Sequence, residues 1–192
     1  MTTFLSHLTL PEAVFNSAPA SILLPIALGS VVGWTTRPKD TKRTYFTWKQ
    51  PPLRPPPWLF GPVWTVLYGM MGYAAYRAVT LGTSPLNSPA TIAAANHGAT
   101  LYTIQLGLNM AWMPLFFGLR RPIEATVDVV AMLGTNAYLA WLWGTQVDAT
   151  AGWLLVPYVA WLSFATYLSA GVGYLNDWDL SDKPDVGGAK KL

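Results

Sequence analysis

The chain contains no cysteine, and only 11% of its 192 residues are charged. The absence of cysteine excludes disulfides, thiolate catalysis and cysteine-ligated metal sites. The shortage of charge argues against a water-facing surface, because about a quarter of the residues in a soluble domain are charged. We therefore expect a polypeptide that is surrounded by lipid rather than by water.

Several functional signatures are also missing. There is no phosphate-cradling glycine loop, no nucleophile triad and no nucleic-acid motif. His7 and His97 have no second histidine or acid at metal-ligand spacing, so we expect no metal site. The first eleven residues carry no Lys or Arg, which excludes a cleavable signal peptide of the usual kind. No required cofactor, no nucleic-acid partner and no acid–base enzyme is expected.

Apolar sequence dominates instead, with 52% hydrophobic residues and ten tryptophans. A membrane-spanning helix needs roughly 20 mostly apolar residues, and five stretches qualify. The predicted fold is an all-α membrane protein, a bundle of five transmembrane helices. We place an N-terminal arm at 1–17, the transmembrane domain at 18–176 and a polar tail at 177–192. The spans are expected at about 18–36, 58–79, 95–118, 123–146 and 150–176.

The basic residues support an odd number of spans, which would put loop one, loop three and the C-terminal tail on one side. Loop one carries six of the 12 Lys and Arg residues, loop three carries two and the tail carries three. The remaining one, Arg77, lies at the far end of the second span and can snorkel outward. By the positive-inside rule, loops one and three and the C-terminus face the cytosol.

The third span carries a stripe of polar and aromatic side chains at spacings of three and four, which places them on one helical face. These residues are Tyr102, Gln105, Asn109, Trp112 and Phe116. One interpretation is interhelical hydrogen bonding, which polar residues commonly supply in membranes. The other is a ligand pocket, since an amide among aromatic rings can orient a ligand. Asn109 beside Trp112 favours the pocket, whereas both interpretations stay open for Gln105.

Similar stripes occur in the second and fifth spans. Taken singly, such stripes are more typical of helix packing than of binding sites. Three of them in one small bundle indicate a cavity, and flat aromatic walls suit a flat apolar ligand such as a tetrapyrrole or a sterol. The predicted ligand-binding residues are Trp58, Trp64, Tyr68, Asn109, Trp112, Phe116, Tyr158, Trp161 and Ala165.

Three further features have two interpretations each. For the acids Asp128 and Glu124, one interpretation is an ion pair with Arg120 or Arg121. The other is that Asp128 relays protons or gates a ligand. Gly29 and Gly33 allow close helix contact, either within the monomer or in a scaffolding assembly. The Pro-rich segment at 48–58 is a stiff connector or a cap over the mouth of the bundle.

The sequence resembles the TSPO/MBR family (translocator and tryptophan-rich sensory proteins) over about residues 20–176. The resemblance is carried by Gln50-Pro51-Pro52, by 55–68 with Met71-Gly72, by 105–118, by Asp128 and by 157–166. It implies a five-helix bundle, often dimeric, that binds porphyrins, sterols and synthetic isoquinoline or benzodiazepine ligands. The implied pocket opens towards the cytosol, is covered by loop one and is lined by Trp58, Asn109, Trp112, Phe116, Trp161 and Ala165.

The resemblance also implies where the protein resides and what else it does. Trp64 and Trp161 match the tryptophans linked to light-dependent porphyrin breakdown in some bacterial members. Animal relatives occupy the mitochondrial outer membrane, bacterial ones the cell envelope and plant ones the secretory pathway. Because a presequence is missing, the mitochondrial outer membrane is favoured, with endoplasmic reticulum or bacterial envelope as alternatives.

The chain departs from the family pattern at three places. Leu53 replaces a Trp between the two proline clusters, and Glu124 stands where many animal members have Trp. The sterol-contact pattern needs a basic residue within about five positions of a Tyr, yet Lys183 is nine positions after Tyr174. A porphyrin is therefore the favoured ligand, ahead of a sterol.

Overall fold

The computed structural model describes residues 8–36 and 48–180. His7, the basic residues at 37–43 and the tail at 181–192 lie outside the described residues. The described part consists of helices and connecting turns and contains no strands, as predicted. Its five long helices are α1 (Ala18–Thr35), α2 (Pro57–Gly82), α3 (Pro89–Met113), α4 (Pro122–Gln146) and α5 (Ala149–Leu175).

Two short helical pieces extend the long ones. A single turn, Glu12–Phe15, precedes α1, and a π-helical turn, Pro114–Gly118, follows α3. By length and composition, α1, α4 and α5 are apolar enough to cross a membrane. The other two long helices have 26 and 25 residues, which corresponds to roughly 38 Å of helix at 1.5 Å per residue.

The helix starts follow local capping chemistry. The Ser17 hydroxyl accepts a hydrogen bond from the Ala20 N–H and caps α1. The Ser88 hydroxyl accepts one from the Thr91 N–H at 3.2 Å and caps α3, with Pro89 as its first residue. Serine caps and a first-position proline are typical helix start signals. They explain why α3 begins at Pro89, ahead of the start expected at about residue 95.

Small residues let the helices approach closely. A Cβ atom on Gly72 would collide with the Ser21 carbonyl oxygen and lie 2.9 Å from the Ile22 Cα. A Cβ atom on Gly152 would similarly lie 2.9 Å from the backbone nitrogen of Gly144. Helix α2 contacts α1, α3 and α5, while α4 packs against α3 and α5. The result is a closed bundle with an interior that all five long helices surround.

The end of the bundle away from loop one is closed by the segment before α1. Phe15 is buried and meets the Tyr102 ring edge-on, with centroids 6.0 Å apart. The Thr9 and Thr100 hydroxyls are 2.8 Å apart, and the Leu10 N–H donates to the Thr103 hydroxyl at 3.1 Å. This segment therefore plugs one end, and open space in the bundle lies towards loop one.

The same closed end carries an ion pair that we expect to make stability depend on pH. Arg77 Nε donates to Asp148 Oδ2 at 2.8 Å, and Asp148 also caps α5 by accepting the Ala151 N–H. The Arg77 hydrogen bond holds the pKa of the Asp148 carboxyl below its ordinary value. A lowered folded-state pKa contributes stability above the unfolded pKa of about 3.9 that is lost as the pH falls through the folded value.

We therefore expect the thermal midpoint of the detergent-solubilised protein to fall on acidification below about pH 4. Asp148→Asn should lower the midpoint at neutral pH and flatten this acid dependence. Glu12→Gln is the matched control, because Glu12 is an acid that forms no ion pair among the described residues. Identical pH profiles for wild type and Asp148→Asn would contradict the assignment.

Candidate functional site

An internal cavity of about 810 Å³ occupies the half of the bundle nearest loop one. All five long helices and Gln50 of loop one contribute to its wall, and none of the lining residues is charged. Ligand cavities in proteins usually measure about 300–1,000 Å³ and are mostly apolar. The cavity is therefore of the right size and character for a bulky hydrophobic molecule.

Seven of the nine residues predicted from the sequence line this cavity. They are Trp64, Tyr68, Asn109, Trp112, Phe116, Trp161 and Ala165. Trp58 does not line it, because it lies in the first turn of α2 with 71% of its surface exposed. Tyr158 does not line it either, because it is fully buried one turn below Trp161.

Aromatic rings line the cavity in two groups, one stacked and one edge-on. On α3 and the π-helical turn, Trp112 stacks on Phe116 with centroids 5.0 Å apart and planes inclined by 15°. On the other side, Trp64 and Trp161 meet edge to face at 6.4 Å, and Phe60 contacts Trp161 at 5.8 Å. Aromatic pairs prefer such offset and edge-on geometries. Rigid rings on both sides suit a flat guest.

The floor of the cavity is a chain of hydrogen bonds that joins three helices. The Tyr68 hydroxyl donates to Asn109 Oδ1 at 2.6 Å, and Asn109 Nδ2 donates to the Tyr158 hydroxyl at 2.8 Å. Below it, Gln105 Oε1 accepts from Tyr158 at 3.4 Å and from Asn136 Nδ2 at 3.2 Å. Gln105 thus makes interhelical hydrogen bonds, whereas Asn109 does so while also facing the cavity.

Two tryptophans of the cavity wall have indole donors without a partner among the described residues. The indole nitrogens of Trp112 and Trp161 are buried, and neither donates a hydrogen bond within the described residues. A buried donor without an acceptor costs roughly 1–3 kcal/mol. Neither nitrogen has accessible surface, so the two tryptophans present their ring carbons rather than their N–H groups to the cavity.

The Pro-rich segment covers the cavity from the loop-one end. Trp48 is buried and stacks on Phe117 at 6.3 Å. The Lys49 N–H donates to Asn176 Oδ1 at 3.0 Å, and Asn176 Nδ2 donates back to the Lys49 carbonyl at 2.9 Å. The Tyr167 hydroxyl also donates to the Pro52 carbonyl at 3.0 Å. The segment is therefore a cap held by α5, and its prolines stiffen it.

The glycine pair of α1 belongs to the cavity wall. Gly29 and Gly33 both line the cavity. A Cβ atom on Gly29 would collide with the Tyr68 ring, whereas one on Gly33 would meet nothing within 4 Å. The pair therefore makes room for Tyr68 and for the cavity within one monomer.

The acidic residues of α4 separate into two environments. Glu124 is exposed at the start of the helix and pairs with Arg121 at 3.2 Å. Asp128, which has only 7% of its surface exposed, has no hydrogen-bond partner for Oδ2 in the described part of the chain. Within those same ranges, no cluster of His, Asp or Glu could hold a metal ion.

The predicted ligand-binding set omits several residues of this region, among them Asn136 and Phe60. Asn136 is fully buried in α4 and donates to Gln105. A polar residue in the middle of an apolar span needs a partner, and this rule could have identified it. Phe60 lines the cavity beside Trp161, and only the mutual register of α2 and α5 shows that contact.

A bundle with three strongly apolar helices, a charge-free cavity and a capped end is an integral membrane protein with an internal, ligand-sized chamber. The sequence profile of the TspO/MBR family matches residues 21–175. The chain therefore belongs to the TspO/MBR family, which confirms the resemblance noted in its motifs.

Relatives in this family come from distant organisms. The translocator protein homolog of Schizosaccharomyces pombe is 38% identical over 154 residues, which cover 80% of this chain and 88% of that protein. The human translocator protein is 38% identical over 159 residues, or 83% and 86% of the two chains. The tryptophan-rich protein TspO of Chlorobaculum tepidum is 38% identical over 164 residues, or 84% and 99%.

Proposed function

We propose that this protein binds and carries flat hydrophobic ligands, porphyrins above all and sterols second, in the cavity inside the bundle. The observation that carries the proposal is the uncharged cavity of about 810 Å³ lined by aromatic rings of α2, α5 and the end of α3. A porphyrin offers a large flat ring that can pack against these rings. A sterol is placed second because Lys183 lies nine positions after Tyr174, outside the sterol-contact pattern.

The test is a titration of the purified protein with protoporphyrin, followed by quenching of tryptophan fluorescence. Trp112→Ala and Trp161→Ala should each raise the Kd about tenfold, which corresponds to about 1.4 kcal/mol of lost contact. Trp141→Ala is the matched control, because Trp141 is exposed on α4 and does not line the cavity. Unchanged affinity in both cavity variants would reject this site, and no quenching in wild type would reject the function.

Five membrane crossings are part of the same proposal, with loops one and three in the cytosol and the protein working as a homodimer in the bilayer. The mitochondrial outer membrane is the favoured location, with the endoplasmic reticulum or a bacterial envelope as alternatives. Since the chain has no cysteine, single cysteines at positions 43 and 121 report topology without background. Labelling of the two positions from opposite sides would refute the five-span arrangement, and cell fractionation tests the location.

A second candidate function is light-dependent porphyrin degradation. Trp64 and Trp161 line one wall and touch each other edge to face, so either indole can donate an electron to an excited macrocycle held there. The transfer leaves an indole radical cation and a porphyrin radical anion, and dissolved dioxygen is the oxidant that degradation of the ring then requires. We expect illumination of the porphyrin complex to bleach the porphyrin absorbance, and Trp161→Phe to slow the bleaching at saturating ligand. Equal rates in the complex and in free porphyrin would leave binding as the only function.

A scaffolding function is the third alternative from the sequence, and it was based on the Gly29 and Gly33 surface. Both glycines line the cavity of one monomer, which argues against this use. Partner binding that survives complete filling of the cavity would support scaffolding instead.

A further inference from the structure

The cavity opens sideways between α1 and α2. Most of its lining residues are buried or half-buried, including every one contributed by α3, α4 and α5. The lining residues that are exposed all belong to α1 and α2, namely Ser30, Trp34, Pro57, Gly61 and Thr65. Residues that both line a cavity and face outward mark its opening, so the opening lies along this helix pair.

Close packing of α1 and α2 stops partway along the pair. Near the plugged end, Gly72 lies against the backbone of Ser21, and further along Gly29 lies against the Tyr68 ring. Towards loop one, Cβ atoms on Gly33 and Gly61 would meet nothing within 4 Å, although both residues line the cavity. The two helices therefore leave a gap, which we call the α1–α2 seam and define by Ser30, Gly33, Gly61 and Thr65.

The chemistry of the seam suits an apolar molecule. The Ser30 hydroxyl donates to the Ile26 carbonyl at 2.7 Å, and the Thr65 hydroxyl donates to the Gly61 carbonyl at 3.0 Å. Both hydroxyls are thus satisfied within their own helices, and the seam carries no charge. A hydrophobic ligand that crosses it breaks no ion pair and displaces no interhelical hydrogen bond.

The axial route at the loop-one end is covered more firmly. Trp48 packs on Phe116 and Phe117, and Lys49 and Asn176 exchange two hydrogen bonds. Passage along the axis would require these contacts to break together. A ligand that crosses the seam passes only the small side chains of its four defining residues.

The geometry points to the α1–α2 seam as the ligand entrance, through which a hydrophobic ligand enters directly from the bilayer leaflet on the loop-one side. This inference rests on the proposed binding function and adds its route of exchange. The ligand is selected first by its solubility in lipid and then by the shape of the cavity. Its rate of entry follows its concentration in the membrane rather than in water.

The test uses bulky residues at the outer edge of the seam. Ser30→Phe combined with Thr65→Phe is compared with Val31→Phe combined with Val66→Phe, since Val31 and Val66 are the adjacent exposed residues and do not line the cavity. Protein in phosphatidylcholine vesicles is loaded with protoporphyrin, and stopped-flow tryptophan quenching gives the association and dissociation rates. Equilibrium quenching gives the Kd separately.

We expect the seam pair to slow both association and dissociation by about tenfold, because an entrance affects the barrier that the ligand crosses in both directions. The control pair should behave as wild type. Unchanged rates in the seam pair, with faster exchange in Asn176→Ala, would place the entrance at the cap instead. A weaker Kd with unchanged dissociation would place the new side chains in the cavity and overturn the inference.

Failure of the binding function is distinguishable from failure of this route. If wild type shows no equilibrium quenching, the proposed function is wrong. If wild type quenches normally and the seam pair exchanges ligand at the wild-type rate, only the route is wrong.

Discussion

Gly33→Phe is expected to weaken protoporphyrin binding by about 100-fold, or about 2.7 kcal/mol, while the protein stays folded. Gly33 lines the cavity, and a Cβ atom there meets nothing within 4 Å. A phenyl ring at this position therefore enters open space that a ligand would otherwise fill. Replacing a helical glycine also favours the helix, by up to about 1 kcal/mol, so stability should not suffer.

Gly134→Phe is the matched control for this prediction. Gly134 is also a helical glycine whose Cβ atom would meet nothing within 4 Å, but it lies on the exposed face of α4 outside the cavity. It should bind as wild type in the same fluorescence titration. Equal affinities for Gly33→Phe, Gly134→Phe and wild type would mean that the ligand is bound elsewhere.

Gly72→Ala is expected to destabilise the fold strongly, although it adds only one methyl group. Its Cβ atom would collide with the Ser21 carbonyl oxygen and lie within 2.9 Å of the Ile22 Cα. The obstacle is backbone on the neighbouring helix, so no side chain can rotate away and α1 must move from α2. Overpacking usually costs about 1–3 kcal/mol, occasionally more, and we expect the upper part of this range.

The measurement is the thermal midpoint and the yield of monodisperse protein in detergent. Gly69→Ala, one turn earlier in α2, is the control because its Cβ atom would meet nothing within 4 Å. It should be neutral or slightly stabilising, as expected for glycine replacement in a helix. Equal midpoints for the two variants would show that α1 and α2 do not pack through Gly72.

Periodicity along the sequence identified faces of helices well, but it could not assign depth. Trp64, Asn109, Trp112, Phe116 and Trp161 were placed on inward faces, and the cavity contains all of them. Tyr158 shares the face of Trp161 but lies one turn deeper. There its hydroxyl accepts a hydrogen bond from Asn109 and forms part of the cavity floor. Only the mutual register of α3 and α5 distinguishes a floor residue from a wall residue.

The prediction and the structure also differ at helix ends and at small residues. Trp58 precedes a correctly placed aromatic stripe, but the first turn of α2 turns it outward. Gly29 and Gly33 form a pattern that occurs at interfaces between helices of different copies as well as within one chain. Which neighbour they face depends on tertiary packing, and here it is Tyr68 and the cavity.

The most direct measurement is a crystal structure of the protein with a bound metalloporphyrin, located by the anomalous signal of its metal. We predict one strong peak inside the bundle, between the Trp112–Phe116 wall and the Trp64–Trp161 wall, and its loss in Gly33→Phe crystals. Peaks confined to the lipid-facing surface, with the chamber empty or filled by side chains, would contradict a binding site inside the helices.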